Sequence, residues 1–158
     1  MLPKYHFLFG IIFVIVLHFF FPQISFFGLS IIFLSSFLID VDHVFYYFLK
    51  EGILNPFKAY TWAIKRTHAF HKLSRSQRKK FYSGFFLFHG IEWLIILFLL
   101  GTYVSRFFIF IFVGFSFHFI IDTIYEIYDK GTVDKISLFW NFYRFKKLKN
   151  MQKYSINT

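Results

Sequence analysis

The chain has no cysteine among its 158 residues, which excludes both a disulfide framework and a thiolate metal site. Charged residues are also scarce, at 16% of the chain, whereas 57% of the residues are hydrophobic. That hydrophobic content is too high for an ordinary soluble domain. Any bound metal must therefore be held by histidine and carboxylate side chains, which suit zinc, manganese, iron or magnesium.

Positive charge is unevenly distributed along the chain. Of the 18 Lys and Arg residues, Lys4 precedes the first apolar run, nine lie between residues 50 and 80, Arg106 stands alone and seven lie from Lys130 onward. The positive-inside rule predicts this alternation for a helical membrane protein. We therefore expect a multi-pass protein of the cell (inner) membrane with both termini cytoplasmic. Because topology explains the basic groups, we expect no nucleic-acid partner.

Four apolar runs are long enough, or nearly so, to cross a bilayer. They predict an all-α, polytopic membrane protein with about four transmembrane helices, folded as a single domain over residues 1–158. A basic cytoplasmic segment over residues 40–83 separates helices two and three, and a basic tail covers residues 130–158. The predicted helices run roughly from Tyr5 to Phe21, from Phe26 to Ile39, from Gly84 to Leu100, and from Phe107 to Asp122 with a continuation toward Tyr128.

Two further segments are both aromatic and basic. The residues from Tyr60 to His71 predict an amphipathic helix that lies in the membrane interface. In the segment from Ile136 to Phe145, Trp140 and Tyr143 are the expected interface anchors. Both segments predict contact with membrane lipid.

Ionisable side chains on apolar helices are costly and need a reason. Threading the four helices through a bilayer brings several such groups to similar depths near the inner face, within about 10 Å at ~1.5 Å per residue. The pairs His118/Asp122 and His89/Glu92 have helical spacing, so each pair is predicted to share one helix face. The groups at this depth are His6, the run from Asp40 to His43, His89 with Glu92, and His118 with Asp122.

A histidine and a carboxylate one turn apart are the ligands that helix bundles present to a metal in their core. Together the groups at this depth offer ligands for one or two divalent ions, which can polarise an ester and activate water at neutral pH. The sequence therefore predicts a metal centre near the cytoplasmic membrane face.

Four motifs occur in a fixed order: Tyr5-His-Phe-Leu-Phe-Gly10, Phe37-Leu-Ile-Asp-Val-Asp-His43, Arg66-Thr-His-Ala-Phe-His71 and Gly114-Phe-Ser-Phe-His-Phe-Ile-Ile-Asp122. In this order they resemble the YdjM-like family of LexA-binding, inner-membrane-associated hydrolases, over residues 5 to about 126. The resemblance implies a membrane-bound, metal-dependent hydrolase. The family's His/Asp pattern is similar to that of zinc-dependent phospholipase C and the single-strand-specific nucleases, which implies a phosphoester substrate, with lipid-linked ones included.

The resemblance also implies roles for individual residues. By motif match the metal ligands are His6, Asp40, Asp42, His43, His118 and Asp122, and the depth argument adds His89; zinc is the expected ion. Independently of the resemblance, Glu92 or Asp40 is the expected general base toward metal-bound water. His71 and Arg66 are expected at the substrate or leaving group, with His68 beside them. The chain departs from the family at Ile39, where the family has proline, and at His68 and His71, which lie closer together than the family's two histidines.

Two other functions are compatible with these residues. The chain could be a non-catalytic membrane scaffold or partner-binding protein in which the His/Asp cluster only holds helices together. It could also be an ion transporter, because intramembrane carboxylates mark ion paths. The outer halves of the helices argue against transport, since they offer only His18 and a few hydroxyls such as Ser35 and Ser116.

Overall fold

The structure is a computed structural model that describes residues 3–82 and 84–150. These residues are overwhelmingly helical, as the sequence predicts. Two short strands, β1 (Phe81–Tyr82) and β2 (Lys149–Asn150), pair in parallel through their backbones. The helices are α1 (Pro3–Phe20), α2 (Phe26–Leu38), α3 (Val41–Glu51), α4 (Pro56–His71), α5 (Arg75–Arg78), α6 (Ile91–Tyr103), α7 (Phe107–Lys130) and α8 (Leu138–Lys147).

Three helical stretches are long and apolar enough to cross a membrane: Pro3–Phe20, Phe26–Glu51 and Phe107–Lys130. They agree with three of the four predicted spans and are consistent with membrane localisation. The fourth apolar helix, α6, has only 13 residues, fewer than the ~20 that a perpendicular crossing of the hydrocarbon core needs. Four spans and the sidedness of the termini therefore stay predictions.

Helix α6 begins at Ile91, with Gly90 as its N-cap. The sequence predicts that it begins at Gly84. His89 precedes this cap, so the prediction that His89 and Glu92 share one helix face is wrong. The reason is a tertiary contact: the carboxylate of Asp42 accepts hydrogen bonds from the Phe88 N–H and from His89. These bonds hold the segment before Gly90 in a loop that is not helical.

By their internal packing the described residues form two units. The first unit comprises the chain up to Asp40 together with Gly90–Asp122, and the second comprises Val41–His89 together with the chain from Thr123 onward. The single domain over residues 1–158 stays a prediction from the sequence.

Small residues allow the helices of the first unit to approach closely. A Cβ on Gly114 of α7 would overlap the Ser35 hydroxyl and the Ile32 backbone of α2. A Cβ on Gly10 of α1 would lie 2.5 Å from the Ser36 hydroxyl, also on α2. Small residues at helix contacts are typical of membrane bundles, where close packing replaces the hydrophobic effect as the main attraction. The same turn of α2 therefore receives both α1 and α7.

Aromatic contacts join α3 to α4 in the second unit. The Tyr47 and Tyr46 rings lie 5.5 and 6.1 Å from the Trp62 ring. The Arg66 guanidinium also lies against this cluster, 4.7 Å above the Trp62 ring. Such an arrangement buries the stem of Arg66 along apolar rings.

Buried polar groups connect the end of α7 to the C-terminal part of the second unit. Lys130 forms an ion pair with Asp134 and donates to the Phe81 carbonyl at 3.0 Å. Asp134 also accepts from Arg144 of α8 at 2.7 Å, and its backbone N–H donates to Glu126 at 2.9 Å. Lys130 and Asp134 are 2% and 1% exposed. Because the ion pair is this well buried, it requires the full set of partners.

Candidate metal centre

Four ionisable side chains of the first unit are buried together. His6 lies on α1, Asp40 lies in the turn after α2, and His118 and Asp122 lie one turn apart on α7. Their exposed fractions are 2%, 7%, 1% and 8%, in that order. Charged groups are rarely buried this deeply unless they are paired or bind a metal.

The two imidazole rings stack, and both face the two carboxylates. The ring centroids of His6 and His118 are 4.1 Å apart. His6 Nε2 lies 3.1 Å from Asp122 Oδ1 and 3.9 Å from Asp40 Oδ2. His118 Nε2 lies 3.7 Å from Asp40 Oδ1 and 3.8 Å from Asp122 Oδ2. Each carboxylate therefore directs one oxygen toward each histidine.

A backbone contact orients His118. Its Nδ1–H donates to the Ser36 carbonyl at 2.8 Å, so the lone pair of the neutral ring is on Nε2, which faces the carboxylates. Metal-binding histidines are usually oriented by such a bond from the other ring nitrogen. The hydrogen-bond geometry therefore prepares His118 to bind a cation through Nε2.

The spacing of the donor atoms fits a metal ion. One ligand atom each from His6, His118 and Asp122 lies within 4.8 Å of the others. Ligands in a tetrahedral zinc site at ~2.05 Å from the ion lie about 3.3 Å from one another, close to the 3.1–3.9 Å between nitrogen and oxygen here. Among the described residues, buried His6 Nε2 has no hydrogen-bond partner. A bound cation would satisfy it.

The helix packing explains why these side chains meet. His6 lies one turn before Gly10 on α1, and His118 lies one turn after Gly114 on α7. Both glycines rest on the same turn of α2. A further ring contact, Phe13 on Phe117 at 3.9 Å, holds α1 against α7. The close approach at glycine thus sets the distance between the two histidines.

Within the second unit, three other predicted site residues lie close together, namely Asp42, His43 and His89. Asp42 Oδ2 accepts from His89 Nδ1 at 2.9 Å and from the Phe88 N–H at 3.1 Å. The His43 ring lies 4.1 Å from the Phe86 ring and 5.6 Å from the His89 ring. A carboxylate that binds Nδ1 of a histidine leaves Nε2 as the ligand nitrogen, so this arrangement also suits metal chemistry.

The other predicted residues lie elsewhere in the fold. His71 Nε2 lies 3.4 Å from Asp129 Oδ1 and 3.2 Å from the Tyr125 hydroxyl. His68 is exposed on α4, and Arg66 stacks on Trp62 as described. Glu92 lies in the first turn of α6. Their roles at a substrate, and that of Glu92 as a base, stay predictions.

Two contacts were not predicted from the sequence. The Ser36 carbonyl that orients His118 has no sequence signal, because every residue carries a backbone carbonyl. Tyr125 and Asp129, which contact His71, are four residues apart on α7, and this helical spacing places them on one face. The four-residue spacing of Tyr125 and Asp129 therefore indicates a polar face on α7 that a side chain from another segment could contact.

Comparison of the chain with protein-family models, curated proteins and solved structures finds no match. The resemblance to the YdjM-like family therefore stays a prediction from the four sequence motifs.

Proposed function

We propose that the chain is a membrane-bound, metal-dependent hydrolase whose ion is held by His6, His118 and Asp122, with the Asp40 carboxylate beside it. The observation that carries the proposal is the alternation of two stacked imidazoles with two buried carboxylates. Two histidines with a carboxylate form the ligand set of many catalytic zinc sites. Zinc is therefore the first candidate, and manganese, iron and magnesium follow.

When bound, a divalent ion at this position supplies a Lewis acid that polarises a substrate oxygen and acidifies water. The side chains do the remaining work. Asp40 is the first candidate to accept a proton from water, because its two oxygens lie beside the Nε2 atoms of both histidines and a carboxylate is a competent base. Glu92 of α6 is the second candidate.

We further propose a phosphoester substrate, with a lipid head group as the preferred form, acted on at the cytoplasmic membrane face. Support for the phosphoester comes from the resemblance to the YdjM-like hydrolases. Support for a lipid comes from the apolar helices that carry His6, His118 and Asp122. The nine Lys and Arg residues between residues 50 and 80 would attract anionic head groups.

The experiment is a hydrolysis assay on detergent-purified protein, loaded with zinc or manganese after chelator treatment. The substrates are a chromogenic phosphomonoester, a chromogenic phosphodiester and a short-chain phospholipid. We expect turnover of at least one of them by the wild type. In Asp122→Asn we expect a loss of about 10–100-fold, which is the range that changing the surroundings of a metal ligand gives. Loaded protein that binds metal tightly and hydrolyses none of the three contradicts the hydrolase.

A non-catalytic scaffold is the second candidate, and one observation favours it. Asp42 uses one oxygen to hold both the Phe88 backbone and His89, which is what a purely structural carboxylate does. Under this function metal binding and stability fall together in ligand variants, and no hydrolysis occurs in any variant.

A further inference from the structure

Helix α8 turns polar side chains inward. Asn141 is 0% exposed, and its Nδ2 donates to the Phe86 carbonyl at 3.2 Å. Arg144 donates to Asp134, which also pairs with Lys130 at the end of α7. These contacts, all within the second unit, fix the rotation of α8 about its own axis.

The other side of α8 is aromatic and cationic. The Lys146 ammonium lies 4.6 Å above the Phe142 ring, and the Lys147 ammonium lies 5.4 Å above the Tyr143 ring. The exposed fractions on this side are 83% for Phe139 and 42–49% for Trp140, Phe142 and Tyr143. The helix therefore shows outward the face that a helix of a soluble protein would bury.

We propose that this aromatic–lysine face, formed by Phe139, Trp140, Phe142, Tyr143, Lys146 and Lys147, docks on the anionic head groups of the bilayer. Tryptophan and tyrosine favour the level of the head groups, where one end of the ring is apolar and the other wet. Lysine ammonium groups are attracted to anionic lipid at the same level. Because each lysine lies over an exposed ring, the positive charge and the apolar surface can contact the head-group layer at the same level.

The chain connection supports this partner over any other. The apolar stretch Phe107–Lys130 is long enough to cross a membrane, and α8 begins at Leu138. The connecting residues 131–137 can span at most about 25 Å even when fully extended. A helix tied this closely to a membrane span meets lipid before it meets a soluble partner. The proposal does not depend on the hydrolase activity.

The experiment uses the full-length protein in lipid vesicles, with Trp62→Phe and Trp93→Phe introduced so that Trp140 is the remaining tryptophan. Fluorescence quenching by lipids brominated close to the head group reports docking, and aqueous acrylamide reports exposure. We expect Trp140 to be quenched by the brominated lipid, and more strongly when the vesicles contain phosphatidylglycerol than when they contain phosphatidylcholine alone.

The decisive comparison removes the same charge from two places. In vesicles with phosphatidylglycerol, Lys146→Ala/Lys147→Ala should lower the ratio of docked to undocked α8 about 30-fold, from ~1 kcal/mol for each lysine. The control Lys79→Ala/Lys80→Ala removes two exposed lysines next to α5 and should leave this ratio unchanged.

Three results overturn the proposal. In the first, acrylamide reaches Trp140 equally in every vesicle. In the second, both lysine variants lose the same amount of quenching, so that only net charge matters. In the third, Trp140 is already protected in detergent and light scattering gives the mass of a dimer, which assigns the face to a second copy of the chain.

Discussion

His6 and His118 stack their imidazole rings with centroids 4.1 Å apart, although they lie on the first and the last of the long apolar helices. Each histidine is one helical turn from a glycine that contacts α2. The candidate metal centre and the tightest helix packing are therefore one structural feature. A substitution that disturbs the helix packing should therefore weaken metal binding, and removal of the metal should destabilise the packed helices.

Substitution of His6 should remove bound metal, whereas substitution of His18 should not. Both histidines are on α1, but they are about 18 Å apart along the helix axis at ~1.5 Å per residue, and only His6 is buried beside carboxylates. We expect His6→Ala to lower zinc content to background and His18→Ala to retain it. Elemental analysis of detergent-purified protein measures both. Equal metal content in the two variants would exclude His6 as a ligand.

Removal of metal should destabilise the wild type and leave His118→Ala nearly unaffected. A ligand that binds the folded state alone stabilises it by about 2.7 kcal/mol at 100 times its dissociation constant. Thermal unfolding in detergent, with and without chelator, measures the difference. We expect the melting temperature to fall on chelation and to recover when zinc is added back. A melting temperature that chelation does not change in the wild type would count against a metal in the folded protein.

The helix positions could largely be predicted from the sequence, because long apolar runs separated by basic segments leave few alternatives. Predicted and observed bounds of α1, α2 and the start of α7 differ by two residues or fewer. The start of α6 could not be predicted, since Gly84–Gly90 is as apolar as a helix. In the structure this segment is a loop held by Asp42, which is distant in sequence, and hydrophobic periodicity contains no information about such a contact.

Part of the site could also be predicted, because helical spacing and depth along a helix can be read from the sequence. His118 and Asp122 share a face because of their helical spacing, and threading placed His6 at similar depth. Asp40 and Asp42 belong to one sequence motif, but Asp40 lies in the turn after α2 and Asp42 lies in the first turn of α3. In the structure Asp40 contacts His6 and His118, whereas Asp42 contacts His89.

Substitution of Gly114 by alanine should cost stability and metal together. The added Cβ would overlap the Ser35 hydroxyl and the rigid Ile32 backbone, so α7 must move away from α2. Overpacking of this kind typically costs about 1–3 kcal/mol. We expect a lower melting temperature and weaker zinc binding. Ile120→Phe adds bulk at an exposed position of α7 and should change stability by less than about 0.5 kcal/mol. Similar losses in both variants would show that α7 tolerates no added volume anywhere.

Removal of the Asp134 carboxylate should destabilise the second unit strongly, because Lys130 would remain buried without its partner. Lys130 is 2% exposed and also donates to the Phe81 carbonyl. Breaking a buried pair from one side costs about 3–5 kcal/mol, whereas replacing both charges by apolar side chains is often nearly neutral. We therefore expect Asp134→Ala to lower the free energy of unfolding by that amount, and Lys130→Met/Asp134→Leu to recover most of the loss.

Glu51→Ala, which deletes an exposed carboxylate, is the matched control. Denaturant unfolding followed by circular dichroism measures all three. If the double variant is as unstable as Asp134→Ala, the loss arises from the bond between Asp134 and Arg144 and the Lys130 charge contributes little.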